Sequence, residues 1–238
     1  MFKCKQLLRR ICVVSYVFLL CGGLVNASNL VSKTNTLIGT QGNGWASGYL
    51  YPGATYPFGM VQFTPTYFTK QLGFVINQLS GAGCDHMGNF PTLPIAGALR
   101  VSPDSILNMK TPVGKEIGTA GYYAATVDHS IRAELTVTER TGMARYTFSS
   151  KEKQGTVIIG GGVAATSIQV AAIKITGPHS CEGYAEGGAF CGIPTPYKVY
   201  FVAEFDADAE SFGTWKEERL HANCLLYTSD AADDLTRV

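Results

Sequence analysis

Ile131, Ala133, Leu135 and Val137 alternate with Arg132, Glu134, Thr136 and Thr138, and this run constrains the fold more than any other feature of the chain. Successive side chains of a strand point to opposite faces. The spacing therefore predicts a strand with one face buried and the other wet, as in an antiparallel sheet. Tyr122–Val127 and residues 143–148, 156–159, 167–175 and 198–205 have the β-branched and aromatic content of further strands. Asp128-His129 has the spacing of a hairpin turn, and Thr141-Gly142 marks another. No helical period of ten residues is sustained outside the two ends. Short strands separated by turn signals predict an all-β domain, an antiparallel β-sandwich.

Of the 238 residues, 46% are hydrophobic, enough for a packed core. The net charge of +1 and the absence of a basic stripe exclude a nucleic-acid partner. The front of the chain reads as a signal peptide over residues 1–27. Lys3, Lys5, Arg9 and Arg10 precede an apolar stretch, residues 11–25, and Val25 and Ala27 suit a cleavage site. That stretch is about fifteen residues, short of the ~20 that span a bilayer. A secreted or periplasmic protein with no membrane attachment after cleavage is expected. Leu20 before Cys21 is a poor match to a lipoprotein signal. From Cys224 to Val238 the chain resembles translated sequencing-adapter DNA, so the fold is read over 28–223 and the natural protein is expected to continue beyond it. Once both ends are set aside, Cys84, Cys181 and Cys191 remain. Cys181 and Cys191 either close a short loop as a disulfide or serve, like Cys84, as small buried hydrophobes.

The common catalytic motifs are missing: no nucleophile elbow, no zinc-protease helix and no phosphate-binding loop. Gly160-Gly161-Gly162 reads as a strand-end turn. Asp206, Asp208, Glu210 and Glu217 have a calcium-loop spacing, but Ser211 stands where such a loop needs glycine, so solvated strand-end acids are expected. Asp85-His86, beside Gly81-Ala82-Gly83-Cys84, could bind a polar ligand from an irregular loop. Residue chemistry alone reaches an exported β-sandwich and stops.

The Gly-, Pro- and aromatic-rich region, residues 36–97, carries a family resemblance. Thr36-Leu37-Ile38-Gly39-Thr40 and Tyr51-Pro52-Gly53-Ala54-Thr55-Tyr56-Pro57-Phe58-Gly59-Met60-Val61-Gln62 are followed by Leu79-Ser80-Gly81-Ala82-Gly83-Cys84. Gly121-Tyr122-Tyr123, Leu135-Thr136-Val137-Thr138-Glu139-Arg140-Thr141-Gly142 and Arg145-Tyr146-Thr147-Phe148 come in the same order. Together these blocks resemble glycoside hydrolase family 92 α-mannosidases, over residues 36–215. The resemblance implies the N-terminal β-sandwich of a two-domain, calcium-dependent exo-glycosidase that removes α-linked mannose with inversion. Inversion needs an acid and a base carboxylate about 6.5–9.5 Å apart. The resemblance assigns these, and most calcium ligands, to a helical catalytic domain missing from this chain, so no catalytic residue or metal ligand is expected here. The partners expected are α-mannoside glycans and that helical domain in cis.

The same resemblance places loops of the sandwich around the sugar pocket. Phe58 and Gly59 of the Pro57-Phe58-Gly59 turn are candidate substrate-binding residues, together with Asn77, Gln78, Asp85 and His86. The Phe58 ring would either lie against an apolar sugar face or pack under its turn; the others would hydrogen-bond hydroxyls. Val75-Ile76-Asn77-Gln78 replaces a stretch that contains histidine in many members, which leaves the linkage preference open. A free-standing carbohydrate-binding or adhesion sandwich is the alternative reading.

Overall fold

The computed structural model describes residues 30–40, 50–65, 73–77, 88–99, 113–151, 154–160, 167–188, 194–216, 219–222 and 227–229. The chain divides into two units, residues 1–34 and 35–238. In the first, Leu30–Lys33 form one 3-10 turn, closed when the Thr34 hydroxyl donates to the Val31 carbonyl at 2.7 Å.

The described residues of the second unit hold strands and no α-helix. In chain order they are β1 (Ala54–Thr55), β2 (Gln62–Pro65), β3 (Phe74–Val75), β4 (Thr92–Ala96), β5 (Val113–Thr119), β6 (Tyr122–Val127), β7 (Ile131–Val137) and β8 (Gly142–Thr147). β9 (Gly155–Ile159), β10 (Ser167–Gly177), β11 (Ser180–Gly188), β12 (Tyr197–Glu204), β13 (Gly213–Lys216), β14 (Arg219–Ala222) and β15 (Tyr227–Ser229) follow. They form sheets ordered β1-β2-β3-β4-β9, β5-β6-β7-β8 and β12-β11-β10-β15, with β13 and β14 paired separately. Every pairing is antiparallel.

The expected alternation on β7 is what buries it: Ile131, Ala133 and Leu135 are buried, while Arg132 and Glu134 are only partly so. These three join Tyr123, Ala125 and Val127 of β6 against Ala54, Phe63 and Phe74 from β1–β3, and two sheets thereby become a sandwich. Phe74 sits at the centre, its ring stacked on Tyr146 (centroids 6.0 Å apart) and tilted against Tyr123 (6.4 Å). Full burial of each large apolar side chain stabilises by about 1.5–3 kcal/mol. The Tyr123 hydroxyl is also buried and needs a partner. A bulge in β5 between Gly114 and Ile117, with Lys115 at φ 49°, supplies one: the hydroxyl donates to Glu116 Oε1 at 2.7 Å.

The expected hairpin at Asp128-His129 is present. Both residues have positive φ (46° and 59°), as a type I′ turn requires, and Ser130 N donates to the Val127 carbonyl at 3.2 Å. A second cluster covers β10–β12 with Phe90, whose ring lies 4.3 Å from that of Phe201. On the outer face of this sheet Tyr184 and Tyr200 are cross-strand neighbours, with Lys198 Nζ 4.0 Å from the Tyr184 ring and paired to Glu186.

Three differences from the sequence reading follow from local chemistry. β1–β4 are two to five residues long, too short to show a period. β11 is poor in strand-forming residues, yet Gly183 is required: a Cβ there would lie 2.3 Å from the Ala172 carbonyl oxygen. β15 lies in the tail set aside above and pairs through two residues with the open edge of β10, where unpaired backbone groups accept any extended segment. Cys181 is a buried, unbridged thiol. Cys84 and Cys191 fall outside the described residues.

Candidate functional site

The turn at residues 56–59 places a non-glycine residue in the left-handed region of the backbone. Gly59 N donates to the Tyr56 carbonyl at 2.9 Å, which puts Pro57 at the second turn position and Phe58 at the third. Proline presets φ at the second position, and a type II turn then demands positive φ at the third, where glycine is the usual residue. Phe58 holds φ 62° instead. For an L-residue this costs about 1–2 kcal/mol. The ring recovers nothing from the core, because Phe58 is fully exposed at 106%. Of the two readings of this side chain, packing under the turn is not what the structure shows.

Strain persists only where the surroundings over-determine it. Here Met60 N donates to the Glu139 carbonyl at 2.8 Å, and Gln62 Nε2 donates to the Gly59 carbonyl at 3.3 Å. Gly59 itself fits closely: a Cβ would meet the Tyr56 and Glu139 carbonyl oxygens, each at 3.1 Å. Upstream, Gly53 lies so near β2 that a Cβ would be 2.3 Å from the Phe63 carbonyl oxygen. The block Thr36 to Thr40 is a turn whose Thr36 hydroxyl donates to the Pro52 carbonyl at 3.0 Å. The glycines and prolines of these blocks let backbone lie on backbone. That frame presents Phe58, flanked by the exposed Tyr56 and Met60.

Asn77, one of the expected substrate-binding residues, makes two hydrogen bonds inside the protein. Its Oδ1 accepts from Asn89 N at 2.6 Å, and its Nδ2 donates to Asn89 Oδ1 at 3.2 Å. Asn89 is buried and passes the bond on, its Nδ2 donating to the Tyr197 hydroxyl at 3.3 Å. The Asn77 amide thus holds the chain after β3 against Asn89. Gly88 completes the junction: a Cβ would sit 1.7 Å from the Asn77 carbonyl oxygen, so the chain leaves at Asn77 and returns at Gly88 through touching backbone. Gln78, Asp85 and His86 lie between these points, outside the described residues. Asn89 and Tyr197 were not singled out from the sequence. An isolated amide and phenol carry no local signal of partnership.

Among the described residues no group of three or more His, Cys, Asp or Glu could hold a metal ion. Asp208 pairs instead with His179 Nδ1 at 3.0 Å. Backbone bonds from Phe205 N to the His179 carbonyl and from Ala209 N to the Pro178 carbonyl, each 2.8 Å, close this loop on the β10–β11 turn. Glu217 lies outside the described residues.

Residues 34–234 match the profile of the glycosyl hydrolase family 92 N-terminal domain. Among proteins with curated descriptions none matches. Of solved structures, the chain is similar to a family GH92 α-mannosidase from Bacteroides thetaiotaomicron, with a TM-score of 0.70 and 23% identity over 81% of this chain and 28% of that one. The same enzyme in complex with mannoimidazole matches with a TM-score of 0.70 and 24% identity, over 81% and 27% of the two chains. A GH92 inverting mannosidase from Bacteroides thetaiotaomicron VPI-5482 has a TM-score of 0.68 and 23% identity, over 86% and 28%. At such identities the likeness is one of fold, and the chain spans less than a third of the length of these structures. The profile match extends over most of the sequence, and on that ground the chain belongs to glycosyl hydrolase family 92, of which it carries the N-terminal domain.

Proposed function

We propose that this chain is the N-terminal part of a secreted, calcium-dependent exo-α-mannosidase that hydrolyses α-mannosides with inversion. In this reading it supplies loops to the wall of the sugar pocket, while the acid and base carboxylates and most calcium ligands belong to a helical domain in cis. The observation that carries it is Phe58: a fully exposed aromatic ring on a strained turn within a family 92 N-terminal domain. The core of this domain does not repay the backbone cost, because the ring lies outside it, and presenting a flat apolar face to a ligand accounts for that cost. Sugar sites combine such a surface with a few placed polar groups.

The division of labour predicts what each piece does in solution. The intact gene product releases mannose from an aryl α-mannoside, loses that activity to a chelator and regains it with calcium. Met1–Val238 alone releases none. Phe58→Ala in the intact product weakens substrate use by roughly tenfold, the scale of one well-placed ring contact. Mannose release by Met1–Val238 alone, or chelator-resistant activity of the intact product, overturns the reading.

A further inference from the structure

The hairpin loop between β7 and β8, residues 138–141, is closed by two hydrogen bonds between its ends. Thr138 N donates to the Thr141 carbonyl at 2.8 Å, and Thr141 N donates to the Thr138 hydroxyl oxygen at 3.2 Å. These two bonds fix the backbone of Glu139 and Arg140, both of which are exposed. The loop is also fastened to the Phe58 turn. Besides the bond from Met60 N to the Glu139 carbonyl, a Cβ on Gly59 would lie 3.3 Å from Glu139 Cα. Arg140, one residue further, therefore springs from a braced loop beside the turn that carries Phe58. Among the described residues Arg140 makes no ion pair.

A planar guanidinium presents N–H donors in a fixed fork, suited to two acceptors at once. Neighbouring hydroxyls on a sugar ring are such a pair. A rigid loop beside an aromatic platform is the placement that recognition needs, because the backbone ordering is complete before the ligand arrives. We propose that Arg140 is a specificity-determining residue whose guanidinium binds two neighbouring hydroxyls of a glycan whose ring rests on Phe58. This inference rests on the reading of the Phe58 turn as a wall of the sugar pocket. Glu139 serves through its backbone carbonyl, as the brace between the two loops.

The test is calorimetric titration of the intact gene product with mannoimidazole and with α-linked mannobioses. The variants are Arg140→Ala, Arg140→Lys and Phe58→Ala, each checked for an unchanged melting temperature. Arg140→Ala is expected to weaken at least one ligand by about tenfold, the effect of losing a charge-assisted hydrogen bond. Arg140→Lys should restore only part of it, since an ammonium on a flexible stem lacks the guanidinium's fixed fork of parallel donors. If Phe58→Ala weakens binding and Arg140→Ala leaves every ligand unchanged, the Arg140 inference falls alone. Full recovery by Arg140→Lys replaces the bidentate contact with simple charge and overturns it too. If neither substitution changes binding, or if the wild type binds none of the ligands, the pocket-wall reading fails and takes the inference with it.

Discussion

The β6–β7 hairpin and the turn at residues 56–59 border the same core and solve opposite problems. In the hairpin every local preference agrees with the fold. β7 alternates, β6 and β7 bury apolar side chains, and the turn residues, Asp128 and His129, tolerate the left-handed conformation they adopt. The chain on both sides of the other turn also enters the core, through Ala54 and Phe63. Yet at its tip an aromatic residue occupies backbone that favours glycine, with its ring in water. Consistency marks the part that folds the domain; local conflict marks the part where something other than stability decides the residue.

The contrast can be broken most forcefully at the core. Phe74→Ala removes the ring shared by Tyr123 and Tyr146 and should cost about 3–5 kcal/mol in denaturant unfolding. A loss below about 1 kcal/mol would mean the two sheets are not joined where described. Asn77→Ala strips two hydrogen bonds from buried Asn89 and should cost about 1–3 kcal/mol. A cost near zero would return Asn77 to the ligand-binding role first expected of it. Phe58→Gly tests the other side. Relief of positive φ should outweigh glycine's unfolded-state entropy and raise stability by up to about 1 kcal/mol, while sugar binding weakens. Stabilisation with binding intact would leave the strain without a purpose.

The smallest effect at neutral pH concerns Cys181. Burial pushes its thiol up to about 11 from 9.0. The folded state thus keeps its proton longer than the unfolded state. Its contribution is fully present below pH 9 and is lost as pH rises from there towards 11. Wild type should lose stability over that window relative to Cys181→Ala, and the native thiol should resist alkylation at pH 8. Rapid alkylation of the folded protein would place the thiol at the surface.

Legibility from sequence follows the same division. β7 could be read residue for residue because burial on one face imposes a period that composition displays, whereas β6 was legible only through its aromatic and β-branched content. The short strands β1–β4 escaped because two to five residues hold no period, and β11 escaped because its glycines answer to close neighbours across the sheet. At the candidate site the Pro57-Phe58-Gly59 turn was recognisable, but its exposure was not: an aromatic near a core is ambiguous until its backbone is known. The pairing of Asn77 with Asn89 was hidden for a related reason. An amide offers the same groups to a sugar as to Asn89, and only distance tells which partner it has. The brace at Glu139 was hidden entirely, because a backbone carbonyl leaves no trace in residue identity.

The touching backbone at Asn77 and Gly88 has an evolutionary corollary. Where a chain departs and re-enters through a single closed junction, the span between can change length without shifting either strand. Lengthening such a span costs only a slowly growing closure entropy. Insertions and deletions between those two residues are therefore compatible with β3 and β4 staying in register within their sheet.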